Sequence, residues 1–183
     1  FMDLSINTGG MAIVVTRAYN SLNADIVGEF GYGWNLELSN TKAEIKYPDG
    51  SGLSAFGEDI PFRDGTRVII TLPGGKREGF TFVGVPGKQL GGAVFNWIPR
   101  FIPDSGVTSK LIVDEVPLTK LSSGEYADLS SGYGYTPVRP EFGGSYMLRL
   151  RNGVEISINA ATGDMASITD RTGNQLQFNG QSI

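Results

Sequence analysis

The feature that most constrains this chain is a turn that recurs every ten residues near its C-terminal end. Gly153, Gly163 and Gly173 follow one another at this spacing, among Asn, Asp and Thr residues. Glycine supplies the positive φ that tight turns need, and Asn and Asp side chains bond their own backbone there. The runs between the turns alternate apolar and polar residues, as in Val154–Ile158 and Met165–Thr169. The spacing therefore predicts one strand and one turn per repeat, which is a meander of antiparallel hairpins.

The rest of the regular pattern is also β. Turn residues cluster at 48–50, 63–66 and 73–76, and no segment has a helical pattern of convincing length. Phe80 and Phe82 are expected to face one side of their strand, because strand side chains alternate. Strands are predicted where β-branched and aromatic residues gather, at Met11–Tyr19, Phe30–Leu38, Ala43–Tyr47, Leu53–Phe56, Arg67–Leu72, Arg77–Val83, Tyr146–Leu150 and Gln175–Phe178.

The stretch 84–142 differs in composition from both flanks. It holds six of the nine prolines, and its segment 121–135 is rich in Ser, Gly and Tyr. We predict an irregular Pro/Gly-rich insertion here, between hairpin units at about 4–83 and 143–183. Roughly 60 residues with so few aliphatic side chains would not form a core of their own. The prediction is a single all-β domain over 1–183, whose consecutive antiparallel hairpins form a twisted, curved sheet.

Composition excludes several kinds of chemistry. The chain has no His and no Cys, which removes Ser-His-Asp and Cys-His catalysis and the usual zinc sites. Its net charge is -4 and its basic residues are scattered, so we predict no nucleic-acid partner. The longest aliphatic run, Met11–Val15, is far shorter than a membrane helix, so no membrane insertion is predicted. We therefore expect a protein that is not an enzyme and that needs no cofactor and no metal.

Three weaker signals for chemistry remain. Asp104-Ser105-Gly106 has the sequence of an aspartic protease loop, but Pro103 precedes it and a dimer would have to supply the second Asp. A Pro-Asp-Ser-Gly turn explains the same residues. Two of the 19 acidic residues could lie close enough for glycoside hydrolysis, although no spacing selects a pair. Calcium could bind near Asp164 or Asp170, where turn chemistry is the favoured interpretation.

Aromatic residues in the stretch 84–142 suggest a binding surface. Trp97 lies near Phe95, and Tyr126, Tyr133 and Tyr135 lie in the Ser/Gly-rich segment. Rings of this kind stack on sugars or on partner proteins, whereas core packing is the competing explanation, above all for Trp97. The alternative function is therefore a binding module that recognises a glycan or a partner protein through this insertion.

The N-terminal sequence resembles the region that opens the repeats of Rhs/YD-repeat proteins. The resemblance rests on Arg17-Ala18-Tyr19-Asn20-Ser21, followed by Phe30-Gly31-Tyr32-Gly33-Trp34, and on the turn Asp170-Arg171-Thr172-Gly173-Asn174. It covers about 3–83 and 143–183 and is loose between them. The chain lacks a full set of the tandem Tyr-Asp repeats that name the family. The residues to which the resemblance gives a structural role are Arg17, Tyr19, Asn20, Phe30, Gly31, Gly33, Trp34, Asp170, Gly173 and Asn174.

The resemblance implies a function that composition alone does not supply. Members of that family are large bacterial secreted or cell-surface proteins, related to insecticidal toxin-complex subunits and to teneurins. Their repeats coil a β-sheet into a hollow shell, which in many bacterial members encloses a toxin. This chain, which begins at Phe1 and not at Met, is then expected to be part of a longer polypeptide. Its expected partners are the rest of that shell and, through open sheet edges, other copies of itself.

Overall fold

The computed structural model describes residues 2–7, 12–21, 24–28, 30–37, 41–48 and 60–178. Within these ranges the chain is all-β, with no α-helix and with two main antiparallel sheets, one of them curled into a half-barrel. The predicted fold class is therefore confirmed. Short 3₁₀ turns lie at Pro73–Gly75 and Pro140–Phe142. The predicted strand Leu53–Phe56 lies outside the described residues.

Eighteen strands are found in the described part of the chain, several of them only two or three residues long. In chain order they are β1 (Met2–Asn7), β2 (Ala12–Tyr19), β3 (Val27–Gly28), β4 (Gly31–Tyr32), β5 (Trp34–Leu36), β6 (Lys42–Lys46), β7 (Arg67–Thr71), β8 (Arg77–Pro86), β9 (Gln89–Leu90), β10 (Ala93–Val94), β11 (Trp97–Pro103), β12 (Lys110–Ile112), β13 (Leu118–Lys120), β14 (Tyr126–Asp128), β15 (Ser145–Arg149), β16 (Glu155–Asn159), β17 (Met165–Thr169) and β18 (Gln175–Gln177).

The N-terminal strands form a three-stranded sheet in the order β1-β2-β5, beside the short ladder β3-β4. The single strand predicted over Phe30–Leu38 is divided into β4 and β5. The division falls at Gly33, whose φ of 72° ends the extended conformation. Tyr19 therefore pairs with Trp34 directly after this break.

A six-stranded sheet follows, in the order β14-β13-β11-β8-β7-β6. Val68 and Ile70 of β7 and Phe80 and Phe82 of β8 are fully buried. The shared face predicted for the two phenylalanines is thus confirmed. The remaining strands β9 and β10 form a separate hairpin beyond the end of β8.

The five-stranded sheet has the order β12-β15-β16-β17-β18, so its last four strands are a sequential meander. The turns between them contain Gly153, Gly163 and Gly173, with φ values of 85°, 76° and 89°. The predicted strand and turn repeat is therefore confirmed. The inward side chains of β15 and β16 are buried, and these are Tyr146, Leu148, Ile156 and Ile158.

The two main sheets enclose one apolar core, and the stretch 84–142 is part of it. This differs from the expected insertion, because the stretch supplies β9–β14 and six side chains of the core cluster: Phe101, Leu111, Leu118, Tyr126, Tyr135 and Phe142. The apolar run Leu111–Val113 predicts a short strand, which is β12. The sequence hides β13 and β14, because each has only three residues. Pairing with distant strands, and not local sequence pattern, stabilises strands this short.

Within the described residues, strand backbones of the two main sheets come close to each other at two places. On one side the Ala43 N–H of β6 donates to the Gly163 carbonyl at 2.7 Å, in the turn between β16 and β17. On the other side β11 and β12 run close together without belonging to one sheet. The first junction is hydrogen bonded, whereas the second forms a groove.

Candidate functional site

The centre of the core is a ring of aromatic side chains around Phe82. Phe62, Tyr126 and Tyr135 come from three separate segments, and their backbones form a closed set of three hydrogen bonds. The N–H groups of Phe62, Tyr135 and Tyr126 donate in turn to the carbonyls of Tyr135, Tyr126 and Phe62, at 2.7, 2.8 and 2.9 Å. The three ring centroids lie 5.4, 5.6 and 5.4 Å from that of Phe82. All four side chains are fully buried.

This packing contradicts the predicted aromatic surface at Tyr126 and Tyr135, which are fully buried. Trp97 is half-buried and packs edge-on against Tyr126, with ring centroids 6.2 Å apart. Tyr133 is 54% exposed, and the Arg139 guanidinium lies 5.5 Å from its ring centroid. The four residues therefore do not form one platform, because burying large rings stabilises the core more than exposing them would.

Two of the buried tyrosines are unsuited to acid–base chemistry. Burial raises the pKa of Tyr135, and the nearby Asp114 carboxylate raises it further. Burial also raises the pKa of Tyr146. Both hydroxyls therefore stay protonated at any physiological pH and cannot accept a proton as a base.

A polar cluster is attached to the aromatic ring through the hydroxyl of Tyr126. The Asp64 carboxylate accepts hydrogen bonds from this hydroxyl at 2.9 Å and from the Gly84 N–H at 3.0 Å. It also accepts the Lys120 ammonium at 2.6 Å. Lys120 lies over the rings of Trp97 and Tyr126, 5.7 and 5.4 Å from their centroids. Gly84 permits the arrangement, because a Cβ atom there would lie 2.3 Å from the Tyr126 ring.

The groups of this cluster hold one another in their ordinary ionisation states. Burial opposes ionisation of Asp64, but its hydrogen bonds to three neighbours outweigh this effect and lower the pKa of the carboxyl. The hydrogen bond to Asp64 raises the pKa of Lys120. Burial, and then the bond to Asp64, raise the pKa of Tyr126. No pKa moves towards neutrality, so the cluster suits a structural latch between β13, β14 and the turn at 63–66 better than proton transfer.

Replacing Asp64 by asparagine is expected to destabilise the protein by about 1–2 kcal/mol, because the Tyr126 hydroxyl and Lys120 lose their charged acceptor. The expected loss of stability is small because the carboxylate is partly exposed and solvent screens its ion pair with Lys120. Because the pKa of Asp64 is lower in the folded protein, its contribution to the free energy of unfolding is complete above pH 3.8, the ordinary pKa of the group. That contribution is lost as the pH falls through the lower pKa of the folded state. Urea unfolding at several pH values should therefore show a constant gap between wild type and variant that closes in acid.

The control for this prediction is Glu44→Gln. Glu44 pairs with Arg77 at 2.7 Å, and both side chains are half-exposed. Surface pairs of this kind contribute about 0–1 kcal/mol, so this variant should unfold almost as the wild type does. An Asp64→Asn variant no less stable than Glu44→Gln would contradict the latch.

Asp104, in the protease-like sequence, is held by an ion pair with Arg67. The pair lies over Gly79, where a Cβ atom would be 2.2 Å from the Asp104 carboxylate. The Val107 N–H donates to the Asp104 carbonyl at 3.0 Å, and Gly106 has a φ of 83°. These contacts favour the turn interpretation of the segment.

The N-terminal motif residues come together in one cluster. The rings of Tyr19 and Trp34, opposite each other on β2 and β5, have centroids 5.3 Å apart. The Arg17 guanidinium lies 5.6 Å from the centroid of Phe30 and 5.7 Å from that of Trp34. Gly33 lies beneath Tyr19, since a Cβ atom there would be 2.7 Å from the ring. The motif therefore encodes a packed aromatic and arginine cluster.

The other two N-terminal motif residues shape the backbone around this cluster. The Asn20 N–H donates to the Gly33 carbonyl at 2.8 Å, and Gly31 has a φ of 108° within β4. The cluster stays open to solvent, because Tyr19 is 52% and Phe30 46% exposed. Glycine is needed at both positive-φ positions because side chains rarely adopt that conformation.

The C-terminal motif residues build one of the repeated turns. The Asp170 carboxylate accepts the backbone N–H groups of Thr172 and Asn174, each at 2.8 Å, and the Asn174 amide at 2.9 Å. The Gly173 N–H donates to the Asp170 carbonyl at 3.1 Å. The side-chain bond from Asn174, with those from Thr172, lowers the pKa of Asp170 to about 2. The carboxylate thus stays ionised and fixes the turn.

The two positions considered for calcium are engaged within the protein. Asp170 has the bonds just described, and Asp164 forms an ion pair with Lys42 at 3.0 Å. Among the described residues, no group of three or more acidic, His or Cys side chains is arranged to hold a metal ion. Turn chemistry accounts for the Asp170 carboxylate, and the ion pair with Lys42 accounts for that of Asp164.

Comparison with known proteins finds no matching family model, no similar curated protein and no similar solved structure. In the part of the chain that the structure describes, no helix is long and apolar enough to cross a membrane. Fold and contacts define the class as an all-β protein built from antiparallel hairpins around an aromatic core. The resemblance to Rhs/YD-repeat proteins remains a hypothesis about its family.

Proposed function

We propose that this chain is a non-catalytic structural segment of a large secreted or cell-surface protein of the Rhs/YD-repeat kind. In this proposal its hairpins contribute to the wall of a β-sheet shell that encloses a toxin. The observation that carries the proposal is the meander β15–β18, whose positive-φ glycine turns repeat every ten residues. A sheet assembled in this way grows by one strand per repeat and can continue for as long as its last edge stays open.

The strand β18 offers such an edge. The Phe178 N–H donates to the Ala166 carbonyl of β17, and the Asp170 N–H donates to the Asn174 carbonyl. Both bonds lie on the side of β18 that faces β17. Because backbone groups alternate along a strand, the N–H groups of Gln175 and Gln177 point away from β17. No strand of the described residues lies beyond them. An added strand would find these donors available.

The other ends of the two main sheets are less open. At β14 the Tyr126 N–H donates to the Phe62 carbonyl and the Asp128 N–H to the Tyr133 carbonyl. At β6 the Ala43 N–H is bonded to Gly163. The end strand β12 of the five-stranded sheet lies beside β11 of the other sheet. This asymmetry supports growth of the sheet in one direction, from β18.

Self-association at β18 tests this proposal. Concentrated protein should show weak, reversible dimerisation in analytical ultracentrifugation, because an open edge pairs with a second copy. Gln177→Pro should abolish it, since proline removes an outward N–H and leaves the bonds to β17 intact.

The control is Gln89→Pro, in the separate β9–β10 hairpin, which should associate as the wild type does. A wild type that stays monomeric, or association that survives Gln177→Pro, would count against strand addition at β18.

A further inference from the structure

The groove between β11 and β12 has the size and lining of a small-molecule site. Its volume is about 470 Å³, within the usual range for ligand pockets. Its apolar lining includes Phe101 of β11 and Leu111, Ile112 and Val113 in and just after β12. Pro99 and Pro103 also line it, on the β11 side. The β11 wall carries Arg100, and the chain after β12 carries Glu115.

The backbone of the β11 wall disfavours an added strand. The Phe82 N–H donates to the Thr66 carbonyl, on the side of β8 that faces away from β11. Phe101 is opposite Phe82 in the antiparallel pair, so its backbone groups also point away from the partner strand, towards the groove. Backbone groups alternate along a strand, so those of Pro99 and Pro103 point the same way. Two of these three residues have no N–H, so a peptide strand would find one donor where it needs three. The groove therefore suits a compact ligand.

The charges around the groove favour an anion. Arg100 and Lys110 contribute two positive charges, and Glu115 contributes one negative charge. Glu115 forms an ion pair with Arg100 from one wall to the other, although its side chain is 64% exposed. Lys110 is exposed and has no ion pair among the described residues. A ligand carboxylate can replace Glu115 on Arg100 at little cost, because exposed ion pairs are weak.

We propose that this groove binds small carboxylates that carry an aromatic ring or a short alkyl chain. The apolar part lies against Phe101 and Leu111, and the carboxylate bonds Arg100 in place of Glu115, with Lys110 adding attraction. The proposal is independent of the shell function, since it concerns β11 and β12 and not the edge at β18.

Phenylacetate is the probe, and its uncharged analogue phenylacetamide is the matched control. Two-dimensional NMR titration of the full chain should show saturable shifts confined to β11, β12 and the residues after it. A ligand of this size is expected to bind with a Kd on the order of 1 mM, and the amide more weakly by about tenfold. Equal binding of the two compounds, or no saturable shifts in these strands, would overturn the proposal.

Three variants test the charge argument by the sign of their effects. Arg100→Gln and Lys110→Gln should each weaken phenylacetate binding by about three- to tenfold. Glu115→Gln should tighten it by about threefold, because it removes the internal competitor. Lys88→Gln, at an exposed position outside the groove, should change nothing. If Glu115→Gln weakened binding, or if Lys110→Gln behaved as Lys88→Gln does, the assignment would be wrong.

Discussion

Replacing Phe82 by alanine is expected to lower the free energy of unfolding by about 3–5 kcal/mol, a large part of the total stability of an ordinary domain. The side chain is fully buried and packs against the rings of Phe62, Phe101, Tyr126 and Tyr135. Its removal leaves a cavity that the surrounding rings cannot fill, because the closed set of three hydrogen bonds fixes the backbones of Phe62, Tyr126 and Tyr135.

Chemical denaturation with a near-ultraviolet circular dichroism readout measures this effect, since the signal reports the ordered packing of the aromatic rings. Phe82→Leu should cost less than Phe82→Ala, because it keeps most of the buried volume. Phe95→Ala is the control, as Phe95 is 58% exposed and its loss should change stability by no more than about 0.5 kcal/mol. Similar costs for Phe82→Ala and Phe95→Ala would show that the aromatic ring is not the centre of the core.

The sequence predicted best those strands whose ends are marked by local turn chemistry. Met165–Thr169 was predicted with the bounds that β17 has, because Gly163 and Gly173 fix the turns on both sides. Two short strands without such turns, β13 and β14, were missed. The segment 121–135 contains β14, although its Ser and Gly content is typical of a loop. The strand exists because Tyr126 fills the space beside Phe82, more than forty positions away in the chain.

The polar cluster shows the same limit for the candidate site. The turn that contains Asp64 was predicted from its sequence, but neither Lys120 nor Tyr126 was connected with it. These partners lie 56 and 62 positions further along the chain. Tyr126 was assigned to an exposed surface because its sequence neighbours are polar, whereas in the fold its ring packs against the rings of Phe82 and Trp97. One sequence contains no signal for contacts at such separations, so the shape of the site could not be predicted.

Replacing Gly163 by alanine is expected to cost about 3 kcal/mol or more, from two separate causes. Its φ of 76° is a conformation in which a side chain is strained. In addition, an added Cβ atom would lie 2.4 Å from the carbonyl oxygen of Ala43, so the backbone of β6 would have to move. That movement would weaken the hydrogen bond from the Ala43 N–H to the Gly163 carbonyl, which joins the two main sheets.

Gly173→Ala separates these two causes. Gly173 lies ten residues later in the next turn, with a similar φ of 89°, but nothing lies within 4 Å of its added Cβ atom. This variant should suffer the conformational strain alone, about 1 kcal/mol. Urea unfolding should therefore rank wild type, Gly173→Ala and Gly163→Ala in falling order of stability. Hydrogen exchange should rise at the Ala43 amide in Gly163→Ala and stay unchanged there in Gly173→Ala. Equal costs for the two variants would mean that the contact between the sheets adds nothing to stability, because the turn strain alone would then explain both.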